Sequence, residues 1–183
     1  QETLDLLAGF VERCFTRAET PVVLTYSLGK GQEALHHLLA RGYSVRYDHS
    51  IGQMVELYQH WGVDFTGDHA EATDGGLRDK VVLLPPGGRR GAFYKSIPRP
   101  RTALLTGWAL DQETRYRFRV DEAFPLSDHA DFPDLLRYVR ESGARTVFTV
   151  NGFPHLAAHL RDMGIAAQHL DRNTSPLQLA LPL

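Results

Sequence analysis

The segment Phe124-Pro-Leu-Ser-Asp-His-Ala-Asp-Phe132 sets one imidazole, His129, between two carboxylates, Asp128 and Asp131. A carboxylate beside an imidazole favours its protonated form and makes it a proton donor near neutral pH. An apolar, strand-like run precedes the segment and a helical pattern follows it, the kind of junction at which α/β folds present reacting groups. The alternative is structural: Asp131 caps the following helix and His129 is an ordinary loop residue.

A second constellation, Ser27-Leu-Gly-Lys-Gly-Gln-Glu33, joins an apolar run to an amphipathic one. Unpaired backbone N–H groups and the helix dipole favour an anion at such a turn, so a phosphate could dock beside Lys30. The turn lacks the Ser or Thr that follows Gly-Lys in a P-loop, so ATP hydrolysis is not indicated. A tight strand-to-helix turn with an exposed Lys30 is the other reading. A third feature is electrostatic. Between Arg89 and Arg119 stand Arg89, Arg90, Lys95, Arg99, Arg101, Arg115, Arg117 and Arg119 against Asp111 and Glu113, a local charge of +6 in a chain of net charge −2. Cations concentrated in one stretch of an otherwise acidic chain suit a polyanion held locally. A solvated edge with paired arginines is the plainer account.

The remaining chemistry-bearing residues carry less. His155 and His159 have the i, i+4 spacing of two metal ligands, but no third ligand is evident. His36 and His37 are adjacent and point in different directions on a helix. Cys14 is the only cysteine, which excludes disulfides within the chain and thiolate-rich zinc clusters. Any metal must use His, Asp or Glu.

The elements that position these residues read as alternating helix and strand. Leu4, Leu7, Val11, Cys14 and Phe15 recur at helical spacing, and Val22–Leu24 follows as a buried strand. A helix over 32–41 stops at Gly42, and a strand over 43–47 follows. Ser50 is the expected N-cap of a helix running to His60. Residues 81–84 and 102–106 read as central strands, with loops at 66–76 and 85–91. Strands that are apolar throughout and separated by helices imply a mostly parallel sheet covered on both faces. After Trp108, Tyr116, Phe118 and Val120 alternate with Arg115, Arg117 and Arg119, which predicts a half-exposed strand with an aromatic and a cationic face. A strand over 124–126, a helix over 133–142, a strand over 146–150, a helix over 154–163 and a strand near 166–170 complete the chain. This terminal sheet is too small to stand alone and is expected to complete a larger one. No apolar run approaches the ~18 residues of a membrane span and no signal sequence is visible, so a cytoplasmic location is expected. The chain opens without methionine, directly on a helix-like stretch, and reads as a fragment.

Ser127-Asp-His-Ala-Asp-Phe132 resembles the Ser-x-His-x-Asp-aromatic motif of β-CASP nucleases of the metallo-β-lactamase fold. Ser27–Glu33 is similar to the glycine-rich basic turn after the first strand of that family's β-CASP domain, and Val150-Asn-Gly152 stands where the family has Val-His-Gly. Thr106-Gly-Trp108 resembles bacterial and archaeal members that process RNA or act as ligase-associated DNA exonucleases. The resemblance implies an α/β fold: a β-CASP nucleic-acid-binding domain over 1–122, with a mostly parallel sheet and helices on both faces. The final strands and helices of a catalytic lobe would then occupy 123–183. It implies metal-dependent hydrolysis of RNA or single-stranded DNA, most simply exonucleolytic, with His129 and Asp131 in the catalytic motif. Lys30, Arg89, Arg90, Arg115, Arg117 and Arg119 would contact the strand. The family's two zinc ions are held mainly by an N-terminal half that this sequence lacks, so this chain alone is not expected to retain them. Asn151 replaces a histidine ligand, and an amide oxygen is a poorer zinc ligand than imidazole. A catalytically impaired relative that only binds nucleic acid or protein is the second expectation, and a homodimer is left open.

Overall fold

The computed structural model describes residues 2–73, 76–111, 113–150 and 154–170. The chain forms two compact units, Gln1–Asp128 and His129–Leu183. The first is an α/β unit with a six-stranded sheet, and every pairing in it is parallel.

The sheet contains β1 (Thr20–Leu24), β2 (Ser44–Tyr47), β3 (His69–Glu71), β4 (Lys80–Leu84), β5 (Pro100–Leu105) and β6 (Glu122–Phe124), in the order β3-β2-β4-β1-β5-β6. Alternation along each central strand feeds two cores. Val23, Val81, Leu83, Ala103 and Leu105 point to one face. Val22, Leu24, Val82, Leu84 and Leu104 point to the other. On the first face lie α1 (Glu2–Thr16), α2 (Lys30–Ala40) and α3 (His49–His60), which bury Leu7, Phe10, Val11, Leu35, Leu38, Ile51 and Val55 against the sheet. The second face has a thinner cover: Leu77, Ile97 and Val120, with Phe93 and Tyr94 of the five-residue helix α4 (Ala92–Ser96).

The right-handed rule for parallel crossovers accounts for this asymmetry. Connections from β1 to β2 and from β2 to β3 run one way across the sheet and carry α2 and α3. Connections from β4 to β5 and from β5 to β6 run the other way and carry only short elements: a 3-10 turn (Pro86–Arg90), α4, a second 3-10 turn (Gly107–Leu110) and α5 (Thr114–Phe118). The direction reverses between neighbouring strands β1 and β5. A crevice opens at the carboxyl ends of strands at such a switch point, where open α/β sheets bind ligands.

Three expected elements differ. Residues 115–118 lie in the helix α5, with Arg119 as its cap, and not in a strand, because Asp111 Oδ1 accepts from the Glu113 amide at 2.9 Å and the Thr114 hydroxyl donates to the Trp108 carbonyl at 2.6 Å, winding the chain into a turn. Arginines and aromatics therefore interleave around α5 instead of dividing into two faces. Asp48, not Ser50, caps α3; its Oδ1 accepts from the Ser50 amide at 2.9 Å. The loop expected over 66–76 contains the edge strand β3, which is polar because one side of it is open to solvent.

In the second unit, α6 (Phe132–Ser142), β7 (Thr146–Thr149), α7 (His155–Asp162) and β8 (Ala166–His169) follow in order, with β7 and β8 parallel. Ala157 and Leu160 are its fully buried apolar side chains among the described residues. Phe148, Val150 and Tyr138 are exposed. Two strands with so small a core are marginal alone. Among the described residues no helix is long and apolar enough to cross a membrane.

Candidate active-site loop and nucleic-acid interface

The turn after β1 is organised by one buried amide. Gln32 Oε1 accepts from the Gly29 N–H and its Nε2 donates to the Ser27 carbonyl, both at 2.9 Å. Gly29 adopts φ 80°, a conformation glycine enters freely and other residues rarely do. A Cβ there would lie 2.6 Å from Asp128 Oδ2, so a side chain at this position would displace that carboxylate. Lys30, the first residue of α2, is not the exposed cation that the sequence suggested. Its side chain is 5% exposed, and its ammonium lies 2.7 Å from Asp128 Oδ1 and 5.0 Å from the centre of the Tyr26 ring. Lys30 therefore anchors Asp128 rather than presenting a free charge to phosphate.

The turn after β5 meets the same segment. A Cβ at Gly107 would stand 3.4 Å from Ser127 Cβ and Oγ. Thr106 holds that turn: its amide donates to the Phe124 carbonyl at 3.1 Å and its hydroxyl oxygen accepts from the Trp108 amide at 3.3 Å. Three stretches that stood out in the sequence, Ser27–Glu33, Thr106–Trp108 and the start of Ser127–Phe132, thus converge at the β1/β5 switch point. Tyr26, Leu28 and Trp108 project from these turns into solvent, Trp108 at 70% exposure. A hydroxyl chain supports the crevice. Ser50 Oγ donates to Asp48 Oδ1 at 2.6 Å, so Ser27 donates the hydrogen in its 2.8 Å contact with Ser50.

His129 follows directly and is exposed. Asp131 caps α6, its Oδ1 accepting from the Asp134 amide at 2.8 Å, so the capping role weighed from sequence is present. Asn151 lies outside the described residues. Among the described residues no three His, Cys, Asp or Glu side chains come together as a metal site.

The nominated arginines separate. Arg89, Arg90, Arg117 and Arg119 line one cavity of about 430 Å³ on the thinly covered face. Arg115 lies elsewhere, its guanidinium 4.5 Å from the centre of the Tyr116 ring. The sequence did not reveal Asp128 as the partner of Lys30, Gln32 as the organiser of the turn, or Tyr94 in the cavity wall. Only the opposite charges of two unusual segments hinted at the first.

Several histidines have structural partners. His69 Nε2 faces the Phe65 carbonyl at 3.0 Å and must donate there, so Nδ1 accepts from the Tyr47 hydroxyl at 3.0 Å. His37 Nε2 accepts from Arg41 Nε at 2.8 Å; burial, then the Arg41 charge, holds its pKa below the ordinary range. His49 Nδ1 contacts Glu71 at 2.9 Å, and the His159 ring stands edge-on to Phe132 at 5.3 Å between centroids.

Over 167 residues, 91% of this chain, the sequence is 38% identical to a protein of Opitutus terrae named a probable DNA ligase. The chain spans 16% of that protein's length. No protein-family model matches the chain.

Proposed function

We propose that this chain belongs to a cytoplasmic nuclease of the β-CASP type that hydrolyses phosphodiester bonds, exonucleolytically, in DNA repair or RNA processing. Its first unit holds the strand, and the segment after it supplies one catalytic imidazole. The observation that carries this reading is the convergence at the β1/β5 switch point, where Gly29 and Lys30 seat Asp128 while Gly107 abuts Ser127. His129 is thereby presented from a braced segment. The similarity to part of a protein named a probable DNA ligase favours DNA as the polymer.

In this reading His129 is the general acid. It hydrogen-bonds the departing oxygen of the cleaved phosphodiester and transfers a proton to it as the P–O bond breaks, a role worth about 10²–10⁴-fold in rate. The Lys30–Asp128 pair is positioning machinery: it touches no substrate and holds the residue before His129. The zinc ions that the family resemblance implies would supply the activated water; the described residues here do not form their site.

The second reading, a binding module without hydrolysis, rests on Asn151 in place of the family's histidine. The full-length protein assayed with zinc or manganese on labelled single strands decides. Metal-dependent release of nucleotides supports the nuclease. No release from wild type, and none regained in Asn151→His, leaves the binding module.

A further inference from the structure

Four arginines line one cavity, and they come from two segments. Arg89 and Arg90 end the 3-10 turn after β4; Arg117 and Arg119 come from α5 and its cap. Among the described residues none of the four makes an ion pair with a carboxylate. By contrast Arg101, in the same basic stretch, faces Glu19 at 4.0 Å and Asp121 at 3.7 Å. Like charges gathered without counter-charge repel one another, and an anion with several oxygens relieves that repulsion.

The arrangement is also partly fixed. Arg89 Nη1 donates to the Phe118 carbonyl at 3.0 Å, tying the two segments together, and its Cζ lies 5.8 Å from the centre of the Tyr94 ring. Arg117 lies over Phe118 at the same distance of 5.8 Å. One bond uses one of five N–H donors on Arg89, so the fork keeps donors for a ligand. Its apolar lining comes from Leu24 and Leu104 at the strand ends, both nearly buried, and from Tyr94 and Phe118. Arginine donors beside an apolar and aromatic lining match a group that joins phosphate to a flat ring. The volume, about 430 Å³, falls in the range of small-molecule sites and far exceeds that of a lone phosphate.

We propose that Arg89, Arg90, Arg117 and Arg119 form a nucleotide-binding pocket, with the phosphate on the guanidiniums and the base or sugar against Tyr94 and Phe118. The anion-binding part stands on the cavity alone. That the nucleotide belongs to a strand, and not to a free nucleoside monophosphate, rests on the nuclease reading.

The test uses the full chain, a fluorescein-labelled single-stranded oligonucleotide, and unlabelled thymidine monophosphate and inorganic phosphate as competitors. Arg89→Ala and Arg117→Ala should each weaken strand binding about tenfold and lower the steepness of its salt dependence by about 0.7–1 per arginine. Arg17→Ala, which removes the same charge beyond the opposite end of β1, should stay within about twofold. Arg89→Lys and Arg117→Lys keep the charge without the fork and guard against misfolding; they should still lose several-fold. Monophosphate should compete better than inorganic phosphate in wild type and lose that advantage in the variants. A strand that binds far more tightly than monophosphate identifies the strand as the source; equal affinity identifies a free nucleotide. Strand binding that is unaffected by all four pocket variants overturns the pocket and leaves the nuclease reading standing. No binding of strand, monophosphate or phosphate overturns both.

Discussion

The Lys30–Asp128 pair yields an asymmetry that can be measured. At 2.7 Å, Coulomb's law with an effective dielectric constant of ~20 gives about 6 kcal/mol of gross attraction. Desolvation takes back several kcal/mol, and it falls mainly on Lys30, because the Asp128 side chain is 35% exposed and water screens it. Asp128→Asn strands a buried ammonium and should destabilise the chain by about 2–3 kcal/mol. Lys30→Met removes the buried charge itself and leaves a carboxylate that water can reach, so it should cost only about 1 kcal/mol. The double variant should cost less than the sum of the two, with a coupling of about 1–3 kcal/mol. Urea unfolding of the four proteins, compared by midpoint at constant slope, measures all three quantities. Additive effects within about 0.3 kcal/mol, or Lys30→Met costing more than Asp128→Asn, would refute the placement of the pair.

Three further outcomes follow from single residues. Gly29→Ala puts a Cβ 2.6 Å from Asp128 Oδ2 at a positive φ, and should destabilise by at least about 2 kcal/mol in a thermal melt; a neutral result would mean the turn is not built this way. Arg119 caps α5 in the left-handed conformation, φ 52° and ψ 52°, so Arg119→Gly should stabilise the fold by about 1 kcal/mol while weakening strand binding. A variant that gains neither stability nor loses affinity would contradict both statements. Burial, with a smaller contribution from Glu19, pushes the Cys14 thiol up to about 12, and the side chain is 2% exposed. Alkylation of the native chain should stay slow through pH 10 and become fast on unfolding. Because the folded pKa is the raised one, the contribution of Cys14 to stability is complete below the unfolded value near 9 and fades as pH climbs towards 12. Rapid native labelling at pH 9 would show that the thiol is not buried.

The central strands were legible because a parallel sheet covered on both faces demands unbroken apolar runs, and Val22–Leu24 and Val81–Leu84 are such runs. β3 was not, since a three-residue edge strand needs no apolar face. The Arg115–Arg119 stretch misled because five residues are too few to separate period 2 from period 3.6; the deciding bonds come from Asp111 and Thr114, outside the pattern. For the site, the Lys30 turn and the His129 segment were each visible as unusual residue combinations. Their meeting was not, since Lys30 and Asp128 are almost a hundred residues apart and only the strand order brings them together. The basic stretch was legible as charge, but which arginines share a cavity depends on how α5 turns.

The central claim is that His129 protonates the departing oxygen. It is tested most directly by comparing His129→Ala with wild type in the complete protein on two substrates, a natural single strand and a thymidine p-nitrophenyl phosphodiester. The phenolate of the second leaves without a proton. The expected loss is about 10²–10⁴-fold on the strand and less than about tenfold on the nitrophenyl ester, with strand affinity unchanged. Equal losses on both substrates, or full activity without the imidazole, would contradict it.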